Sequence, residues 1–233
     1  MNFIKCFYFL KNILNIMQVR HFIGGYDNNL SYVIWCEKTN SAAIIDPSVE
    51  PDEILKFIKK KSLILEKIII THSHFDHIKY LKELIKINRK NINIYISDQT
   101  NHKDLLTKNL VSHNQTINIG NQKIHCLYTP GHLNDSVSYW LPENKIIFTG
   151  DTMFIGRTGR VTSNKSNISD LYKSIYNILL KLPSETIICS GHDYGKKLFA
   201  TIEYNIKNSP FFSCKSLNEF KIVMNNYEKN RNK

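Results

Sequence analysis

The chain has 233 residues, enough for one large domain with a substantial hydrophobic core. Its hydrophobic content of 42% is ordinary for a folded protein, and no run approaches the roughly 20 apolar residues of a membrane-spanning helix, so no membrane anchor is predicted. The net charge of +11 comes mainly from scattered lysines, and it does not favour nucleic acid or an acidic membrane over a small anionic substrate.

The first sixteen residues, MNFIKCFYFLKNILNI, differ from the rest of the chain. Only five apolar residues lie between Lys5 and Lys11, which is short for a signal-peptide core, and the Lys/Asn character is unlike an Arg/Ser-rich transit peptide. We interpret residues 1–16 as an extension of uncertain status, with Met17 as a possible translation start. The main domain is predicted over 17–212, followed by a C-terminal helical tail over 213–233.

In the first half of the chain, short β-type runs come first and then alternate with helical patterns. The predicted strands are VRHFI (19–23), LSYVIWC (30–36), AAIID (42–46), LEKIIIT (65–71) and NINIYIS (91–97). The predicted helices cover 47–61, 76–88 and, as a short stretch, 98–108.

The second half of the chain has the same general order: several strands come first, and helices then alternate with the remaining strand. The predicted strands are QTINI (115–119), QKIHCLY (122–128), SVSYWL (136–141), KIIFTG (145–150) and ETIICS (185–190). The predicted helices cover 169–182, 196–207 and 216–230. This order predicts two mixed sheets packed face to face, with helices covering their outer faces.

The cysteines give no sign of disulfide bonds. They are odd in number, widely spaced and without a C-x-x-C pair: Cys6, Cys36, Cys126, Cys189 and Cys214. This usage is typical of a reducing compartment, so we predict a cytoplasmic protein.

The stretch THSHFDH (71–77) concentrates metal-binding residue types at the end of an apolar strand. In extended backbone, alternate side chains point the same way, so His72 and His74 can bind one ion together. Asp76 and His77 fall where the chain turns into the next helix and can face a neighbouring site. Such crowding of polar groups is costly to desolvate, and a bound cation would relieve it.

Three more candidate ligands follow apolar strands, each directly after a glycine: His132 in CLYTPGH, Asp151 in KIIFTGD and His192 in TIICSGH. The glycine allows a tight turn and close approach of the backbone. Three histidines with a carboxylate suit one zinc-like ion, and two histidines with an aspartate remain for a second. The other histidines are interpreted as surface or packing residues: His21, His102, His113 and His125.

The segments THSHFDH, TPGH, FTGDTMF and CSGHDYG resemble the ordered motifs of metallo-β-lactamase-fold hydrolases. AAIIDP, GRTGR, LPSETIICSGHDYG and KLFATIEYNIKNSP are similar to the glyoxalase II-like branch. The resemblance implies an α+β fold, a four-layer αβ/βα sandwich, with metals at one edge between the sheets. It assigns His72, His74 and His132 to a first ion, Asp76, His77 and His192 to a second, and Asp151 as a bridge. The implied cofactors are two divalent ions, zinc first, with iron or manganese as alternatives.

The same resemblance implies a thioester hydrolase of the hydroxyacylglutathione type, in which metal coordination activates the attacking water. Asp76 would be catalytic by orienting that water, and Arg160 would bind a carboxylate of the anionic thiol portion. The chain departs from glyoxalase II at Thr162, where that family has a tyrosine, and in the short segment after Pro210. Both departures weaken the expectation of a glutathione substrate.

Two alternatives remain open at this level. Persulfide dioxygenases of the same branch bind one iron with positions that correspond to His72, His132 and Asp151, so the ligand set does not separate the two activities. A nucleic-acid-processing metallohydrolase ranks lower, because neither an added cap domain nor a compact basic-aromatic run is evident. The predicted partner is therefore a small anionic thioester, without nucleic acid or membrane, and the oligomeric state is unknown.

Overall fold

The computed structural model describes residues 17–87, 92–101 and 108–231, which contain two six-stranded mixed sheets. In the first sheet the strands follow chain order: β1 (Gln18–Gly24), β2 (Asn29–Trp35), β3 (Ser41–Ile45), β4 (Ile64–Ile69), β5 (Asn93–Ser97) and β6 (Lys108–Val111). Pairing is antiparallel from β1 to β3 and parallel from β3 to β6.

The second sheet has the reverse order, from the last strand of the chain to the seventh. Its strands are β7 (Thr116–Ile119), β8 (Gln122–Tyr128), β9 (Val137–Leu141), β10 (Ile146–Gly150), β11 (Ile187–Ser190) and β12 (Ala200–Thr201). β10 and β11 pair in parallel, whereas the other neighbours in this sheet are antiparallel.

The helices lie outside the two sheets. They are α1 (Pro51–Lys60), α2 (Phe75–Ile78), α3 (Leu81–Ile87), α4 (Ile168–Lys173), α5 (Ile202–Asn208) and α6 (Leu217–Arg231). The helical path of α4 continues through a π turn and a 3₁₀ turn to Lys181, and a second 3₁₀ turn covers Pro210–Phe212. None of the helices in the described part of the chain has the length and apolar character needed to cross a membrane.

Alternation along β2 shows how the layers form. Leu30, Tyr32 and Ile34 point into the core between the sheets, while Val33 and Trp35 join the core under the helices of the first sheet. Because successive strand residues face opposite ways, one strand serves both cores. On the far side, α6 contributes buried residues to a third core against the second sheet. The predicted four-layer αβ/βα sandwich is therefore confirmed.

Several predicted helices have different bounds in the structure. The helix predicted over 76–88 is two helices, α2 and α3, separated by a turn at Lys79 and Tyr80. Of the helix predicted over 98–108, residues 102–107 lie outside the described residues, Asp98 and Gln99 form a turn, and Lys108 begins strand β6, which was not predicted.

The helix predicted over 196–207 was wrong in its first part. Ala200 and Thr201 form the edge strand β12, and α5 begins only at Ile202. Thr201 ends the strand and caps the helix, since its hydroxyl accepts a hydrogen bond from the backbone N–H of Tyr204 at 3.1 Å.

Candidate metal centre

All seven predicted ligands come together at one edge of the sandwich. His72 and His74 follow β4, Asp76 and His77 lie in α2, and the other three follow β8, β10 and β11: His132, Asp151 and His192. Backbone hydrogen bonds join the two sheets here, from Val137 N of β9 to the Thr71 carbonyl and from Leu30 N of β2 to the Gly191 carbonyl, both 2.8 Å. The fold therefore brings strand ends from both sheets to one place.

The first group contains three imidazoles and one carboxylate. His74 Nδ1 lies 3.0 Å from His72 Nε2 and 3.0 Å from His132 Nε2, and Asp151 Oδ2 lies 3.5 Å from His132 Nε2. Ligand atoms around a tetrahedral zinc ion, each about 2.0–2.1 Å from the metal, are separated by about 3.3 Å. The four side chains are thus arranged to surround one ion.

The second group is Asp76, His77 and His192. His192 Nε2 lies 3.2 Å from His77 Nε2 and 3.3 Å from Asp76 Oδ2, while His77 Nε2 and Asp76 Oδ2 are 3.7 Å apart. These separations also suit one ion with nitrogen and oxygen ligands.

Asp151 lies between the groups. Its Oδ1 is 3.2 Å from His77 Nε2, and its Oδ2 is 3.5 Å from His192 Nε2 as well as from His132 Nε2. Oδ1 is buried, yet no described residue makes a hydrogen bond of proper geometry to it. Asp151 thus places a buried, negatively charged carboxylate between the two groups, and cations on either side would compensate its charge. The residues therefore fit a centre of two cations that share Asp151.

The outer nitrogens of the imidazoles determine which nitrogen faces the centre. His132 Nδ1 donates to the carbonyl of Arg160 and His192 Nδ1 to the carbonyl of Asp27, both at 2.8 Å. Since a carbonyl oxygen can only accept, Nδ1 carries the hydrogen in both rings, and the Nε2 lone pair is left for a metal ion.

Asp46, which was not among the predicted site residues, organises the other side of the centre. Its Oδ2 accepts hydrogen bonds from His77 Nδ1 at 2.8 Å and from the Thr71 hydroxyl at 2.7 Å. The Thr71 hydroxyl, having donated to Asp46, can accept from His72 Nδ1 at 3.1 Å. A buried aspartate directly after the apolar run AAII was the available signal in the sequence.

Gly191 permits the close packing at the centre. A Cβ atom at this position would lie 2.4 Å from Asp151 Oδ1 and 2.6 Å from His77 Cε1, so any larger residue would push a ligand away. Gly131, before His132, has φ +136° and its Cβ would meet the backbone of Leu171 at 2.2 Å. Both positions thus need glycine, as the sequence pattern predicted.

The two groups differ in their protonation. Burial and the neighbouring imidazoles of His77 and His132 lower the pKa of His72 and His74, so both rings are neutral near pH 7. Although burial opposes it, the carboxylate of Asp151 raises the pKa of His77, and it raises that of His192 to about 9. Without metal, the second group therefore carries protons at neutral pH.

This difference predicts a pH-dependent second ion. A metal ion binds only neutral imidazole, so an ion at the first group would bind near pH 7 with little proton release, whereas an ion at the second group would displace protons from His77 and His192. Below pH 9, the apparent affinity for the second ion should rise about tenfold or more per pH unit. Calorimetric titration of metal-free protein between pH 6.5 and 9, in buffers of different ionisation enthalpy, counts the protons released. Equal affinity for the second ion at both pH limits, without proton release, would contradict this expectation.

Comparisons with known proteins agree with this geometry. The sequence profile described as the metallo-beta-lactamase superfamily matches residues 24–192. The hydroxyacylglutathione hydrolase of Buchnera aphidicola is 38% identical over 154 residues, covering 66% of this chain and 58% of that protein's length. The hydroxyacylglutathione hydrolase of Dictyostelium discoideum is 33% identical over 215 residues, covering 88% of this chain and 74% of that protein. The crystal structure of ETHE1 from Myxococcus xanthus superimposes with a TM-score of 0.81 at 30% identity, covering 90% of this chain and 91% of that one.

Proposed function

The chain belongs to the metallo-beta-lactamase superfamily, and on that premise we propose that it is a metal-dependent thioester hydrolase of the hydroxyacylglutathione hydrolase type. The observation that carries the proposal is the pair of His/Asp groups that share Asp151. The relatives named hydroxyacylglutathione hydrolase support a small thioester as the substrate.

The proposed cofactors are two divalent ions, and zinc fits best. Imidazole nitrogens with few carboxylate oxygens are typical of zinc, although iron and manganese also accept such ligands. The first ion would be held by His72, His74 and His132, the second by Asp76, His77 and His192, and Asp151 would face both. When bound, the ions would supply Lewis-acid polarisation of the carbonyl and a lowered pKa for water.

Asp76 is the proposed catalytic residue. Although burial opposes it, hydrogen bonding to His192 and the charge of His77 lower the pKa of Asp76, so it is ionised at neutral pH. The Asn29 amide donates to Asp76 Oδ2 at 2.9 Å and fixes the carboxylate. The carboxylate can then accept a hydrogen bond from the attacking water, which turns a lone pair of the water oxygen toward the carbonyl carbon of the thioester. The leaving thiolate needs no strong general acid, because a thiol has a pKa of about 8.5.

Arg160 is the proposed substrate contact. Its backbone carbonyl accepts the hydrogen bond from His132 Nδ1, which brings this residue next to the first group, and the residue is exposed. We expect Arg160→Ala to raise KM for an anionic thiol ester about tenfold while kcat changes little, since a hydrogen bond to a charged group is worth at least about 1.5 kcal/mol. The reaction rate of the variant should also depend less on salt concentration than that of the wild type. Steady-state kinetics with thioesters that share one acyl group but differ in the thiol measure this effect.

Lys165→Ala is the matched control, because it removes another exposed cation a few residues away. With Thr162 in place of the family's tyrosine, lactoylglutathione should be turned over measurably but with a high KM. A micromolar KM for the glutathione ester that does not change in Arg160→Ala would contradict the proposed contact.

The alternative is a mononuclear iron persulfide dioxygenase, which the similarity to ETHE1 favours as a related branch. Elemental analysis of the purified protein, combined with thioesterase and oxygen-uptake assays, separates the two functions. Two zinc ions per chain with thioesterase activity support the hydrolase. One iron per chain with persulfide-dependent oxygen uptake would replace it with the dioxygenase.

A cytoplasmic location is also proposed. The four cysteines in the described part of the chain are buried and free, as expected where thiols stay reduced. The proposed partner is a small anionic thioester, in line with the relatives named hydroxyacylglutathione hydrolase, rather than nucleic acid or a membrane.

A further inference from the structure

A row of packed side chains connects helix α6 with His192. The ring of Tyr194 lies parallel to the imidazole of His192, with centroids 4.7 Å apart and an angle of 4° between planes. The guanidinium carbon of Arg157 lies 4.1 Å from the centroid of the Tyr194 ring. Arg157 Nη1 in turn donates a short hydrogen bond to the hydroxyl of Tyr227, which belongs to α6.

Tyr194 is fixed to the same residue as His192. Its hydroxyl donates a short hydrogen bond to the carboxylate of Asp27, and the carbonyl of Asp27 accepts from His192 Nδ1 at 2.8 Å. One residue thus holds the edge of the imidazole while Tyr194 covers its face. The ring of Phe154, 5.1 Å from that of Tyr194, packs against the same group.

The charge of Arg157 is held by aromatic rings rather than by a carboxylate. Within the described ranges, no acidic side chain lies within ion-pair distance of it, and its Nε is buried without a hydrogen-bond partner. The guanidinium also lies 5.4 Å from the ring centroid of Phe154 and 5.6 Å from that of Tyr227. A cation placed in this way depends on the surrounding ring faces, so the position of each member depends on the others.

We propose that Tyr194, Arg157 and Tyr227 are positioning residues for His192, and that helix α6 is thereby coupled to the second ion site. The inference rests on the proposed two-ion centre. A ligand must be held within about 0.5 Å and 10–20° of its productive geometry. Stacking fixes the plane of the His192 ring and thus the direction of its Nε2 lone pair. The first group, which does not contain His192, should not depend on this row.

The test is a titration of metal-free, full-length protein with zinc. Binding is measured by calorimetry and with a colorimetric zinc indicator. The wild type is expected to bind two ions. Tyr194→Leu, which removes the ring, should weaken the second ion about 10–100-fold, the usual cost of losing a residue that orients a ligand, and leave the first unchanged. Tyr194→Phe keeps the stacked ring and should keep most of the second ion's affinity. Tyr227→Phe loses only the hydroxyl that is bonded to Arg157. Its affinity for the second ion should lie between those of Tyr194→Leu and Tyr194→Phe.

Tyr172→Leu controls for general loosening of the helical layer. Tyr172 stacks on Tyr176 with centroids 4.5 Å apart and also contacts Phe220 of α6, but it is not part of the row that leads to His192. Its substitution should lower the melting temperature while both ions still bind with wild-type affinity. Thermal melts followed by circular dichroism show that each variant is folded before metal is added.

The outcomes separate this inference from the proposed function. If the wild type binds two ions and Tyr194→Leu binds both with unchanged affinity, the positioning role is wrong while the two-ion centre stands. Equal loss of the second ion in Tyr172→Leu would likewise overturn the role, since the effect would then be general. If the wild type itself binds one ion, both the two-ion centre and this inference fail. Should Tyr194→Leu not fold, Tyr227→Phe decides, because it removes only one oxygen atom from a half-buried position.

Discussion

Asp151→Asn is expected to abolish tight binding of both ions and to lower kcat by at least about a thousandfold, or roughly 4 kcal/mol in activation free energy. The carboxylate faces both sets of ligands, with His132 on one side and His77 and His192 on the other. Asparagine has nearly the same shape, so the change removes charge and one acceptor oxygen while it leaves little empty space. The substitution should therefore lower the metal content of the protein without unfolding it.

The measurement is metal content by elemental analysis after dialysis, with the rate of thioester cleavage on the same samples. Asp170→Asn is the control, because it removes the charge of an aspartate on α4 whose ion pair with Lys173 is exposed. That variant should keep both ions and full activity. Two tightly bound ions in Asp151→Asn would show that this carboxylate does not hold the centre together.

The candidate ligand residues could be identified in the sequence because each stands in a short recognisable string at the end of an apolar strand. The groups that orient them were not. His132 donates to the backbone carbonyl of Arg160, and His192 donates to that of Asp27. Asp27 and His192 are 165 positions apart in the sequence. Every residue has a carbonyl, so residue identity cannot mark such a contact. Asp46 was different, since a buried aspartate after four apolar residues is unusual enough to raise suspicion.

The errors in the fold also have tertiary causes. The helix predicted over 76–88 breaks because the N–H of Tyr80 donates to the carbonyl of Pro47 at 3.0 Å, outside any helical pattern. Neither Lys79 nor Tyr80 disfavours a helix strongly, so local propensity could not predict the break. At 200–201, the chain pairs with β11 as a two-residue edge strand, and the apolar periodicity around it resembles a helix. In contrast, strands with clear two-residue alternation of apolar and polar residues were predicted correctly. The alternation in the sequence indicates directly which side chains are buried.

Asp76→Asn is expected to lower kcat by about a hundredfold to ten-thousandfold while KM changes by far less, since loss of a group that positions or deprotonates the nucleophile affects the transition state. The carboxylate is ionised at neutral pH and fixed by the Asn29 amide, so it is ready to accept a hydrogen bond from water. An asparagine keeps a side-chain oxygen but cannot take up a proton. Because Asp76 also belongs to the second ligand group, the affinity for the second ion should fall as well.

Steady-state kinetics at saturating zinc separate the two effects, because excess metal restores occupancy without restoring the carboxylate. Asp52→Asn, at an exposed position in the first turn of α1, is the control for loss of one negative charge. Under the single-iron alternative, Asp76 is not a ligand, and iron content should stay the same in Asp76→Asn. A variant with normal kcat and only a raised KM would instead make Asp76 a substrate contact, and the catalytic role proposed for it would be wrong.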